Sequence, residues 1–379
     1  MAGIYIHIPF CASRCIYCDF FSTTRLEKRS RYVDALCQEM EQRRQEIFSG
    51  EEPVSTLYIG GGTPSQLSIT DLQRLFGKII SIYQLAPDAE VTMECNPEDI
   101  TPEFLSELHR LPINRLSFGI QTFDDRRLQL LHRRHTSQKA IEAVGLSQKA
   151  GFQNISIDLI FGFPGESPAD WEADVRKALA LNVRHISAYS LMYEEGTQLT
   201  RLRDEGKITP IDDELSLKMY EQLIDLLATG GFEHYEISNF ALPGFRSRHN
   251  SSYWQGTPYL GLGAGAHSYD GKRRRWNCSS LDLYIKGVNS SSSYYETEEL
   301  SPADLYNEYV MTRLRTCDGI SLKEFRSKFS DELTTYFNKM SSAHLQSGCL
   351  EKADGKMRFS RKGLFISDSI LSDLFYIEN

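Results

Sequence analysis

Three cysteines crowd into one short stretch of the chain, Cys11-x-x-x-Cys15-x-x-Cys18. Cysteine thiolates hold cubane iron–sulfur clusters, normally four to a cluster. Three from one loop would leave one iron open, and reactive metal sites keep such an open position. The amino and carboxylate groups of S-adenosylmethionine (SAM) have the chemistry to fill it. The rival is a zinc site completed by His7 or by a distant residue. Zinc sites generally need a second close pair of ligands, and the sequence offers no second close pair of cysteines.

Gly60-Gly61-Gly62-Thr63-Pro64 is the second motif. Glycines let the backbone approach a ligand and adopt φ above zero, so their amides and carbonyls could hold the methionyl ammonium of SAM. The alternative is a tight turn between a strand and a helix.

These motifs need elements to carry them. Short β-rich runs at residues 4–8, 55–59, 90–95, 115–120, 155–160 and 185–191 alternate with amphipathic stretches. Thr101-Pro102 and Ser167-Pro168 place an N-cap before a proline at the first helical position. Thr70-Asp71-Leu72 opens a further helix. Strand and helix repeated six times predict an α/β fold, a partial (β/α)6 barrel or open sheet, with functional groups at the C-terminal ends of the strands. The motifs fall there: Cys11–Cys18 after the first strand, Gly60–Pro64 after the second, Glu94 ending the third, Gln121 after the fourth and Asp158 on the fifth.

Residues 1–195 are expected to form this barrel, and 196–295 an irregular extension ending in a linker at residues 290–293. Residues 300–379 read as a small helical C-terminal domain. Its hairpin is signalled by Asp354-Gly355, which suggests a winged-helix-like module. That segment has 11 Lys+Arg against 11 Asp+Glu, and the whole chain carries a net charge of -9, so neither has the basic footprint of a nucleic-acid binder. The N-terminus lacks a basic, apolar leader, and no apolar run is long enough for a membrane span. The expectation is a cytoplasmic protein.

Tyr5-Ile-His-Ile-Pro-Phe-Cys11, Gly-Gly-Gly-Thr-Pro, Glu94-Cys-Asn-Pro, Gly119-Ile-Gln121-Thr-Phe and Asp158-Leu-Ile-Phe-Gly-Phe-Pro together resemble the oxygen-independent coproporphyrinogen III oxidase (HemN-like) family of radical-SAM proteins. The match runs in order over residues 4 to about 270. Within that family, His249-Asn-x-x-Tyr253-Trp254 is similar to the signature of the HemW haem-chaperone branch.

The resemblance implies a [4Fe-4S] cluster on Cys11, Cys15 and Cys18, SAM beside it, and haem as a third ligand. Tyr5 and Tyr17 would flank the cluster and SAM. Gly61, Gly62 and Thr63 would hold the methionyl group. Glu94, Gln121, Arg133 and Asp158 would reach SAM or a second SAM. His249 would ligate haem iron, with Tyr253 and Trp254 as aromatic cover; the alternative is a histidine satisfied by local hydrogen bonds, with Trp254 in the core. The basic run Lys272–Arg275 would meet the propionates, or is an exposed turn.

One departure separates the two branches. The oxidases carry a fourth cysteine two residues after the third, where this chain has Phe20. The chain also starts almost at Tyr5, without the oxidases' N-terminal extension. Both features favour haem binding and delivery to acceptor proteins, with an electron donor for the cluster. The alternative is SAM-dependent decarboxylation of coproporphyrinogen III, for which the residues supply the machinery of reductive SAM cleavage.

Overall fold

The computed structural model describes residues 3–46, 53–290 and 293–378. Six parallel strands open the chain: β1 (Gly3–Ile8), β2 (Val54–Gly61), β3 (Leu85–Cys95), β4 (Arg115–Gln121), β5 (Asn154–Phe161) and β6 (His185–Ser190). They pair in sequence order. Between them run α1 (Arg29–Gln42), α2 (Ile69–Ile82), α3 (Pro102–Leu108), α4 (Asp125–Leu130), α5 (Ser137–Lys149) and α6 (Pro168–Ala180). This is the partial (β/α)6 barrel. Thr101 caps α3, and Ser167 forms a reciprocal capping box with Asp170 on α6. The α2 helix starts earlier than expected, because Ser68 rather than Thr70 accepts the orphan N–H of Asp71.

Residues 196–295 are more regular than expected. They hold α7 (Gln198–Asp204), α8 (Asp213–Thr229), α9 (Arg248–Trp254) and α10 (Leu281–Ser290). They also hold β7 (Glu233–Glu236), β8 (Asn239–Ala241), β9 (Tyr259–Leu262), β10 (His267–Tyr269) and β11 (Arg273–Asn277), which β12 (Tyr295–Glu299) follows. These strands extend the barrel sheet at both ends, giving the order β12-β11-β10-β9-β1-β2-β3-β4-β5-β6-β8-β7. They have three to five residues each and carry polar runs such as Arg-Arg-Arg, too short and too charged for the alternation that marks a strand. The expected linker at 290–293 begins on the last residue of α10; residues 291 and 292 lie outside the described residues.

The C-terminal segment has its own apolar core. It contains α11 (Pro302–Leu314), α12 (Leu322–Lys328), α13 (Asp331–Gln346), α14 (Arg361–Leu364), α15 (Ser367–Leu374) and a three-stranded sheet of β13 (Ile320–Ser321), β14 (Leu350–Ala353) and β15 (Lys356–Phe359). Asp354 and Gly355 turn its hairpin with φ of 52° and 73°, the doubly left-handed geometry of a type I′ turn. No helix among the described residues is long and apolar enough to cross a membrane.

A buried ionic network fastens the strand extension to α1. Glu39 accepts from Arg43 (3.0 Å), Asn277 (2.7 Å), Tyr284 (2.6 Å) and the Gly263 amide (2.8 Å). Arg43 also donates to the Gly261 carbonyl at 2.7 Å. Arg43 would keep Glu46 (2.7 Å), but without Glu39 the buried Tyr284 hydroxyl and Gly263 amide lose their acceptor and the Arg43 Nη1 its ionic partner. Glu39→Ala should therefore destabilise the protein by about 3 kcal/mol or more, read as a lower denaturant midpoint.

Candidate functional site

The cysteine loop leaves β1 and returns to its neck at Thr23. There the Cys11 amide donates to the Thr23 carbonyl (2.9 Å) and the Thr23 amide to the Pro9 carbonyl (2.7 Å). His7 Nε2 donates to the Phe21 carbonyl at 2.8 Å, which leaves its Nδ1 to accept from the Tyr5 hydroxyl at 3.0 Å. Burial pushes the His7 pKa down to about 4, so the ring is neutral and holds one tautomer. Cys11, Cys15 and Cys18 line one cavity of about 450 Å³.

A polar chain ties two of the cysteines together. Arg133 Nη1 donates to Cys15 Sγ (3.6 Å), and its Nη2 to Asn96 Oδ1 (2.9 Å) and the Gly119 carbonyl (2.6 Å). Asn96 donates to Thr63 Oγ1 (3.3 Å), which donates to Cys11 Sγ (3.6 Å). Burial pushes the Cys11 thiol up and that of Cys18 up to about 11. Without metal the Cys11 and Cys18 thiols thus keep their protons, and metal binding would release them.

Opposite the loop, the barrel wall supplies the charges. Glu94 accepts from the Tyr58 hydroxyl (2.7 Å) and the Gly61 amide (3.0 Å), and desolvation raises its pKa to about 7. Desolvation likewise raises Asp158 to about 6. Gln121 sits at the end of β4 with φ of 72°, beside a register shift against β5. Strain of this kind persists where the surrounding structure holds a side chain to a task.

The structure thus brings the cysteines, Tyr17, Gly61, Gly62, Thr63, Glu94, Gln121, Arg133 and Asp158 to one cavity. Tyr5 is not on the cavity lining; it lies beneath it, against the rings of His7, Tyr58 and His249. The glycine run also answers to packing. A Cβ on Gly62 would meet the Pro9 and Ile8 backbone at 2.7–2.9 Å, and one on Gly61 the His7 ring at 2.5 Å.

The 249–254 motif takes the alternative path. His249 is 1% exposed. Its Nδ1 bonds Thr56 Oγ1 (2.9 Å) and its Nε2 the Tyr253 hydroxyl (2.8 Å). Desolvation lowers its pKa to about 3. Both ring nitrogens are occupied, so the structure does not present His249 as an iron ligand. Trp254 faces away, under the Arg315 guanidinium at 5.2 Å. Lys272–Arg275 is not a free turn, because Arg273, Arg274 and Arg275 on β11 pair with Glu299, Glu308 and Glu46.

Sequence reasoning missed Tyr58, Asn96 and Arg115, all of which line the cavity. Arg115 is 1% exposed and its Nε has no hydrogen-bond partner; Arg133 Nε is also buried and unpartnered. Buried guanidinium nitrogens without partners suit a carboxylate-bearing ligand such as SAM. Among the described residues no three His, Cys, Asp or Glu side chains converge on a single ion. A zinc site completed by His7 would need a ring nitrogen, and both already bond the Tyr5 hydroxyl and the Phe21 carbonyl, whereas a cubane with one iron left for SAM asks the protein for three thiolates alone. The donor set therefore fits a [4Fe-4S] cluster with SAM.

Comparison with known proteins agrees. The Radical SAM superfamily model matches residues 5–178 and the HemN C-terminal domain model residues 300–366. The chain is 34% identical to the heme chaperone HemW of Lactococcus lactis, over 97% of this chain and 95% of that protein. It is 33% identical to the Bacillus subtilis HemW, over 98% of both chains, and 32% identical to that of Escherichia coli, over 85% of both. The solved Escherichia coli coproporphyrinogen III oxidase (HemN), a radical SAM enzyme, superposes with a TM-score of 0.85 at 23% identity, covering 99% of this chain and 90% of that one. At that identity the likeness establishes the fold.

Two outcomes follow. Cys15→Ala should abolish iron–sulfur loading after anaerobic reconstitution while leaving the far-ultraviolet circular dichroism unchanged; stoichiometric zinc in the wild type instead would contradict the donor assignment. SAM is cationic and should bind the ionised carboxylates. Its affinity should be weak below pH 6 and rise through the interval from about 6 to about 7, in which Asp158 and Glu94 lose their protons. The slope should reach at most about tenfold per pH unit for each proton displaced. Glu94→Gln should flatten the upper part of that rise in a SAM titration.

Proposed function

The chain belongs to the heme chaperone HemW family, within the radical SAM superfamily, and from that premise we propose that it binds haem and delivers it to haem-accepting proteins. It holds a [4Fe-4S] cluster and SAM. Cys11, Cys15 and Cys18 would carry the cluster; Gly61, Gly62 and Thr63 would meet the methionyl group, and Glu94, Gln121, Arg133 and Asp158 the remaining polar groups of SAM. Bound and reduced, such a cluster would supply an electron for reductive SAM cleavage. An electron donor would serve the cluster, and the protein would work in the cytoplasm.

The residues of this chain do the rest. Arg133 holds its guanidinium against the Cys15 sulfur and, through Asn96 and the Gly119 carbonyl, fixes it to the barrel wall. The neutral His7 and the Thr23 backbone hold the neck of the loop that carries the three thiolates. Glu94 and Asp158 take up or release protons near neutral pH as a cation arrives or leaves.

The observation that carries the haem reading is Phe20. It stands where the oxidase branch has its fourth cysteine, and it is 63% exposed on the cavity lining. An apolar ring there offers cover to a flat macrocycle and no thiol for chemistry. The shared fold cannot decide between chaperone and oxidase.

The test runs both activities side by side on anaerobically reconstituted protein. Haem should be retained and passed to an apo-haemoprotein, with no porphyrin formed from coproporphyrinogen III in the presence of SAM and reductant. Porphyrin produced at catalytic turnover, with no haem retained, would replace this reading by the oxidase.

A further inference from the structure

With both nitrogens of His249 engaged, a haem that uses an imidazole must find it elsewhere. Of the nine histidines in the chain, His132 is the one that lines the cavity. It is exposed on the rim, and its ring makes no hydrogen bond to any described residue.

Its backbone points the same way. His132 follows the end of α4 with φ of 59°. The next amide, of Arg133, returns to the Leu128 carbonyl at 2.9 Å. This is the left-handed position that helices usually fill with glycine. A histidine there carries strain that glycine would not, and strained side chains cluster where they are used.

The surroundings suit a porphyrin. Phe20, Met192 and Tyr189 are 63%, 60% and 40% exposed, and all three line the same cavity. Large apolar groups left exposed together mark a binding surface. Beneath them Ile16, Leu131 and Leu191 belong to one small packed cluster, and the Ile16 amide donates to the Leu131 carbonyl at 3.3 Å. His132 and Met192 are the chain neighbours of Leu131 and Leu191, and Arg14 lies two residues before Ile16. That packing presents all three on one ledge. Arg134, exposed, lines the cavity as well.

We propose that this ledge is the haem site. A ring nitrogen of His132 donates its lone pair to the iron. Phe20, Tyr189 and Met192 cover the macrocycle. Arg14 and Arg134 pair with the two propionates, as guanidinium groups do with carboxylates. The proposal deepens the haem-chaperone reading and rests on it.

The test titrates haemin into reconstituted full-length wild type and His132→Gly, followed by absorption and by electron paramagnetic resonance of the ferric haem. Glycine suits the left-handed backbone, so the variant should fold, load iron and respond to SAM as the wild type does. Haem binding should weaken by about tenfold or more, and the imidazole-ligated spectrum should disappear. Added imidazole should restore that spectrum. Arg14→Glu with Arg134→Glu should weaken binding of haemin but not of its dimethyl ester. Wild-type affinity and spectrum in His132→Gly would overturn the ledge, as would weakened binding with unchanged ligation. A wild type that retains no haem would sink the chaperone reading itself.

Discussion

The site depends on a loop closed at its neck. Residues 10–22 leave the central strand β1, carry three thiols over the barrel mouth, and return to a backbone pairing at Thr23. Without that closure three cysteines on thirteen residues would sample many geometries, and binding a cluster would bear the full cost of ordering them. The His7 imidazole secures the same neck from beneath, and burial keeps it neutral near physiological pH. Because β9 joins β1 on its far side, β1 lies inside the sheet, and the loop starts from one of its best-supported strands.

The rest of the cavity has the opposite character. Its wall holds two carboxyls with raised pKa values, two guanidinium nitrogens without partners and a left-handed glutamine. Each of these weakens the ligand-free protein, since buried charge and backbone strain oppose folding. For Glu94 and Asp158 the folded protein binds protons more tightly than the unfolded chain, so stability falls as pH rises from the usual carboxylate range towards 7. A ligand such as SAM, with a carboxylate and two cationic groups, would answer the carboxyls and the guanidinium nitrogens together. The large apolar core around the barrel supplies the stability that this arrangement draws on.

The barrel was legible because its strands are long, apolar and separated by capped helices. The motifs at their C-terminal ends were legible for the same reason. The interior wall was harder to read. On β4, Leu116, Phe118 and Ile120 face the helices, while Arg115, Ser117 and Gly119 line the cavity. Ser156 and Asp158 on β5 and Ser187 on β6 continue that polar face, with Ser117 in register with Ser156 and Asp158 with Ser187. A period of two in an otherwise apolar parallel strand was the available signal for Arg115. His249 misled for the reverse reason. A motif of histidine and aromatics reads alike as ligand and as core, and only the positions of Thr56 and Tyr253 decide. His132 gave no sequence signal, because its value lies in a backbone angle and a rim position.

Three thiolates on this loop would leave one iron open to a ligand held by the opposite wall. Mössbauer spectroscopy of the 57Fe-reconstituted protein, with and without SAM, tests it most directly. SAM should shift the signal of about one quarter of the iron, the single site without a cysteine, and leave the remainder unchanged. A spectrum that SAM does not alter would contradict the account.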